Sequence, residues 1–142
     1  MNAFSNFMSV DSVNYDISNS AQSERFRREA IYHFEKKLSE EPKCVEALCG
    51  WINNYHELSI IYKQQGNIQT AQKCLIIPHQ TALQMANNSF GDQELEVIGT
   101  RAMRITLPPL LAFAQEHPPC ESCMAELNAQ MSRIEEQQKF EH

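Results

Sequence analysis

CVEALCGWINNYHELSIIYKQQGNIQTAQKCLIIPHQTALQMANN, residues 44–88, decides how this chain folds. Cys44, Leu48, Trp51, Tyr55, Leu58 and Tyr62 recur at gaps of four and three, and Val45, Ile52 and Ile61 widen the face. That spacing keeps returning side chains to one side of a 3.6-residue turn, which predicts a helix of about five turns or more. Gly66-Asn67 then supplies a residue free to take the left-handed conformation that ends such a helix. Ile68, Ala71 and Leu75 open a return helix, so a short turn joins two antiparallel rods into a hairpin. Pro78 lacks an amide hydrogen and crowds the carbonyl of Cys74, predicting a kink or a break near the middle of the second rod.

Upstream, SERFRREAIYHFEKKLSEEP (residues 23–42) places Phe26, Ala30, Phe34 and Leu38 on one stripe, widened by Ile31, with Ser23 as N-cap and Pro42 as stop. Residues 1–22 read as a partly ordered arm whose Phe4, Phe7, Met8 and Val10 dock on the remainder, residues 23–142, a single domain. Downstream, Asp92 caps a helix carrying Leu95, Ile98, Ala102 and Ile105, which Pro108-Pro109 is expected to end. LLAFAQEH (residues 110–117) then reads as a short apolar helix closed by His117-Pro118-Pro119. From Glu121 to about Phe140, Met124, Leu127, Met131 and Ile134 make a narrow seam. A helix with so thin a seam either caps a stack or pairs with a second copy as a homodimer.

With 142 residues, 42% of them apolar, the chain closes one core, and with only four glycines its long periodic segments define an all-α protein. A net charge of −6 provides no field to gather phosphates, which argues against nucleic acid as a partner. The basic residues Arg25, Arg27, Arg28, Lys36, Lys37 and Lys43 alternate with Glu24, Glu29, Glu35, Glu40 and Glu41, the pattern of a solvated helix face. No stretch approaches the ~18 apolar residues of a membrane span, and the first ten residues lack the build of an export signal. A cytoplasmic protein with five reduced cysteines is expected.

Within the hairpin, Tyr55, Leu58, Ser59, Tyr62, Gly66, Ala71 and Leu75 resemble the tetratricopeptide pattern, in which large residues of one helix fit against small residues of the next. Ala30, Phe34 and Pro42 resemble the second half of a preceding repeat. The interval from Ala30 to Ala71 is 41 residues, against a family period of about 34, so the hairpin would lengthen by two turns with its apolar stripe in phase. Pro78 stands where the family has a small residue and Leu83 where it has a proline, and residues 86–119 do not repeat the pattern. The likeness covers residues 24–86. It implies antiparallel hairpins stacked as a short right-handed array with a C-terminal capping helix, and a concave groove for a peptide or helical partner. Matched position by position, the groove residues are Asn53, His56, Ile60, Lys63 and Gln64; alternatively this face packs under another part of the chain. With His56, Glu57 and Ile60 where the family's carboxylate clamp wants asparagines and a basic residue, a C-terminal carboxylate ligand is disfavoured.

Cys120-Glu-Ser-Cys123 is the one short motif with chemical meaning, because two thiolates at this spacing can chelate zinc or form a redox pair. His117 could serve as a third ligand. His33 and His56, beside the apolar stripes, read as half-buried packing residues, and Glu40-Glu41 and Glu135-Glu136 as solvated pairs. Nucleophile elbows, phosphate-binding glycine loops and His-Glu-x-x-His pairs are missing from the sequence, so neither a cofactor nor an enzymatic activity is expected. The expected function is a non-catalytic adaptor for a protein or peptide. The alternatives are a small zinc-binding or redox-sensing regulator built on Cys120 and Cys123, and a homo-oligomeric helical bundle.

Overall fold

A computed structural model of the chain describes residues 17–87 and 91–140. The part of the expected N-terminal arm before residue 17 lies outside them. Among the described residues there are five helices and no strand: α1 (Ile17–Glu40), α2 (Val45–Gln64), α3 (Ile68–Asn87), α4 (Gln93–Glu116) and α5 (Glu121–Phe140). Each helix packs chiefly on its neighbours in sequence, most broadly α3 on α4 and most narrowly α4 on α5, while α2 also touches α4. The protein is all-α, with one apolar core running from Ile31 on α1 through Trp51, Leu58, Ala71 and Leu75 to Leu110 and Phe113 on α4.

α1 begins at Ile17, ahead of Ser23, so Ser23 lies inside the helix instead of capping it. The earlier start has a partner to hold it: the buried Ser20 hydroxyl accepts a 2.7 Å hydrogen bond from Gln65 Nε2. Ile31, Phe34 and Leu38 face inward as expected, and the inward face departs from the expected one only near its start. Phe26 is 60% exposed, and Arg27 points in beside Ile31. Arg27 is held there by Asn54 Oδ1 at 3.0 Å and by the Glu57 carboxylate at 3.9 Å, both on α2. A guanidinium thus takes the place expected of an aromatic ring, because a buried cation is tolerated when its donors are met. Gly50 leaves room on α2 for the ring of Phe34, which a Cβ at that position would strike.

α2 ends as its sequence predicts. Gly66 has φ +82°. The amides of Gly66 and Asn67 donate to the carbonyls of Lys63 and Tyr62 at 3.0 and 2.8 Å, the paired bonds of a Schellman turn. Asn67 Oδ1 then accepts from the amide of Thr70 at 3.3 Å, starting α3. Where the two rods cross, the buried Ser59 hydroxyl donates to the carbonyl of Ala71 at 2.8 Å, so the small residues do sit at the close approach.

Prolines bend the expectations most. α3 continues through the fully buried Pro78 without a break. α4 continues through Pro108 and Pro109, so the two short helices expected on either side are one helix of 24 residues. Missing amide donors in mid-helix cost stability, but Ala102, Thr106, Leu107, Leu110, Phe113 and Ala114 are buried on both sides of the pair and fix the backbone in register. Ile105, assigned to the inward stripe by spacing, is instead 48% exposed. The α3–α4 contact is closest at Gly99, where an added Cβ would lie 2.5 Å from the amide nitrogen of Ala86 and 2.7 Å from Met85 Cβ.

Gly99→Ala tests that spacing. Helix propensity alone favours alanine by about 1 kcal/mol. Backbone atoms of α3 cannot swing aside as a flexible side chain can, so overpacking should dominate and lower stability by about 1–3 kcal/mol in urea unfolding. An unchanged or raised midpoint would show that α3 and α4 are not this close.

Candidate functional site

Two lysines tie α2 to α4 at opposite ends. Lys43, just before α2, bridges Asp92 and Glu94 at the start of α4, both at 2.9 Å. Lys63, in the last turn of α2, meets Glu116 at the end of α4 at 2.6 Å. Start joined to start and end joined to end means that α2 and α4 run parallel. Asp92 also caps α4 through the amide of Leu95 at 3.1 Å, and these contacts with Lys43 hold its carboxyl below the usual range.

Of the groove residues expected from the resemblance, Lys63 takes part in this pairing. Asn53, Ile60, Lys63 and Gln64 are exposed, and Ile60 shows 50% of its surface. His56 precedes Lys63 by about two turns, and Ile105 precedes Glu116 by about three, so each pair shares a side of its helix. His56 and Lys63 on α2 therefore border the same parallel seam as Ile105 and Glu116 on α4. His56 is half-buried, as expected, and its Nε2 is buried with no hydrogen-bond partner among the described residues. Burial pushes its imidazole below the ordinary value, which keeps it neutral near pH 7. His33, by contrast, is exposed on α1 with its ring edge-on to Tyr32 at 5.8 Å.

The cysteine motif sits at the corner between α4 and α5. Cys120 and Cys123 are both exposed, with their sulfurs 3.0 Å apart. Cys120 is the residue before α5, and its carbonyl accepts the first bond of the helix, from Met124 N at 3.0 Å. Hydrogen bonds from the Ser122 hydroxyl and the Cys123 thiol, with backbone amides of the first turn, bring the Cys120 thiol down to about 7. Its neighbour's thiolate raises Cys123. His117 turns toward Phe113, ring centroids 4.9 Å apart. Among the described residues no group of three or more His, Cys, Asp and Glu side chains is placed to hold a metal ion.

A third cluster carries no sequence signal. His79 on α3, Thr106 on α4 and Gln130 on α5 are all buried. The ring bridges the other two, with Nδ1 2.9 Å from Thr106 Oγ1 and Nε2 2.7 Å from Gln130 Oε1. Gln130 Nε2 donates to Glu126 at 2.9 Å, which leaves its oxygen to accept from His79. The proton therefore sits on His79 Nε2, and the Thr106 hydroxyl donates to Nδ1. This chain of bonds, with Leu127 and the buried Ile134, seats α5 and turns part of its seam inward.

The class is therefore an all-α protein of sequentially packed helices, with a parallel α2–α4 seam and a surface dithiol. The chain belongs to the family described as protein of unknown function (DUF2753), whose model matches residues 17–142. No curated protein and no solved structure matches it. No described helix is long and apolar enough to cross a membrane.

Burial lowers His79 as well, and the hydrogen bond to Gln130 offsets this only in part. The unfolded chain takes up a proton near pH 6.5, before the folded one does, so stability should hold above that value and fall as the pH drops below it. Urea titrations between pH 7 and 5 should show this decline, and His79→Gln should make it shallower, leaving the part due to His56, while lowering stability throughout. An unaltered slope in the variant would mean that His79 is not buried neutral.

Proposed function

We propose that this chain is a non-catalytic protein-interaction module, cytoplasmic, that binds a peptide or short helix of a partner protein along the α2–α4 seam, in the manner of a tetratricopeptide groove. The observation that carries the reading is the parallel pairing of α2 and α4, tied by Lys43 and Lys63, with Ile60 and Ile105 left half exposed beside it. Parallel first helices of successive hairpins are what such grooves are made from, and the close approach of Ser59 to Ala71 belongs to the same resemblance. Apolar anchors flanked by lysine, asparagine and glutamine suit a peptide's side chains and backbone amides. Helices that pack mainly on their sequence neighbours leave such a face open along its length. The net charge of −6 speaks against a nucleic acid in this position.

The test is a peptide array probed with the full chain, followed by Ile60→Glu and Lys63→Ala against the peptides retained. Both residues are exposed, and the Lys63–Glu116 pair contributes little to stability at the surface, so the helical circular-dichroism signal should not change. Ile60→Glu should weaken binding at least about tenfold, or about 1.4 kcal/mol, with a smaller loss for Lys63→Ala. An array that retains no peptide, or variants that bind as the parent does, would overturn the proposal.

A further inference from the structure

Beyond the groove, and independently of it, we infer that Cys120 and Cys123 form a thiol–disulfide exchange site whose co-reactant is the accessible disulfide of a low-molecular-weight thiol. Exchange requires an attacking sulfur in solvent and a second sulfur within reach to resolve the mixed disulfide. Both are present. Both thiols are exposed, and their 3.0 Å separation is about 1 Å longer than a disulfide bond. Cys120 holds the N-cap position of α5, where the first-turn amides favour a thiolate. The preceding Pro118-Pro119 restricts the approach to that turn.

The two cysteines are not equivalent. Ser122 Oγ lies 3.3 Å from the Cys120 sulfur, and it and the Cys123 thiol both favour charge on Cys120. That makes Cys120 the nucleophile and Cys123 the resolving thiol. Cys74, by contrast, is buried, with its thiol pushed up to about 11 by desolvation, and takes no part. A structural zinc site wants four ligands, and the described residues bring no third one to this pair.

The reaction balances without a metal or a cofactor. The Cys120 thiolate attacks one sulfur of the co-reactant, the co-reactant's S–S bond breaks, and one thiolate leaves. Cys123 then attacks the Cys120 sulfur of the mixed disulfide and loses its proton to solvent or to the leaving thiolate, which releases the second thiol. Two electrons pass from the cysteine pair to the co-reactant, giving an internal disulfide and two reduced small thiols.

Glutathione disulfide at pH 6 is the probe, with the full chain, Cys120→Ser, Cys123→Ser and the double variant compared by intact mass and thiol alkylation. Against an ordinary thiol of pKa about 8.5, Cys120 has roughly thirtyfold more thiolate at this pH, and its lower basicity reduces the net gain in rate to about fivefold. The parent should therefore react about fivefold faster than the double variant, in which the exposed Cys49 remains, and should lose the thiols of Cys120 and Cys123 with no glutathione retained on either. Cys123→Ser should stop at a single glutathione adduct on Cys120, and Cys120→Ser should react no faster than the double variant. A parent that keeps its adduct without closing the internal disulfide, or a Cys120→Ser variant that reacts at the parent's rate, would overturn the assignment. So would a tight equivalent of zinc that withdraws both thiols from alkylation.

Discussion

Three amide hydrogens are missing from the middle of two adjacent helices, and the molecule holds together because those helices lie against each other. Pro78 in α3 removes the usual donor to the Cys74 carbonyl, and Pro108 and Pro109 in α4 remove the donors to Arg104 and Ile105. Either helix alone would be expected to break there. What prevents it is the broad contact between them, closed by Gly99 against the backbone of Met85 and Ala86 and filled by Ala82, Ala102, Leu107 and Leu110. The prolines are supported by packing on both sides, as interior prolines must be when the local ladder cannot support them.

The two outer helices add polar contacts to the apolar core. α1 is laid on α2 by a row of hydrogen bonds: Ser20 with Gln65, Glu24 and Arg28 with the Tyr62 hydroxyl, Arg27 with Asn54, and Glu35 with the Trp51 indole. Burial and the bond to Glu24 push the Tyr62 phenol up to about 12, so it stays a protonated donor throughout the physiological range. α5 is laid on α3 and α4 by the Gln130–His79–Thr106 chain and a few apolar contacts. Apolar burial supplies most of the stability in the middle of the molecule, and directional bonds set the register of its two outer helices.

How far the sequence disclosed this depends on the reach of each interaction. The all-helical class, the α2–α3 hairpin and its Gly66-Asn67 corner were legible because period and left-handed backbone act within a turn or two, and the Ser59–Ala71 crossing followed from the tetratricopeptide resemblance. The continuity of α4 was not, since two adjacent prolines argue locally for a stop and only tertiary packing reverses that. The exchange of Phe26 for Arg27 on the inner face was hidden for a similar reason, because the partner that makes Arg27 tolerable stands on another helix. In the candidate site, the proximity of the two thiols could be read from spacing, while the exposure of Ile60 was implied only by the tetratricopeptide resemblance. The Lys63–Glu116 tie and the histidine bridge join residues far apart in the chain, and no motif marks them.

Because each helix touches chiefly the one before and the one after, the contacts that define this fold are local in sequence. Little loop entropy has to be overcome before a native contact forms, which places the chain among topologies that fold quickly. Growth follows the same logic. A chain of this kind could add a terminal helical pair with only one new junction to solve.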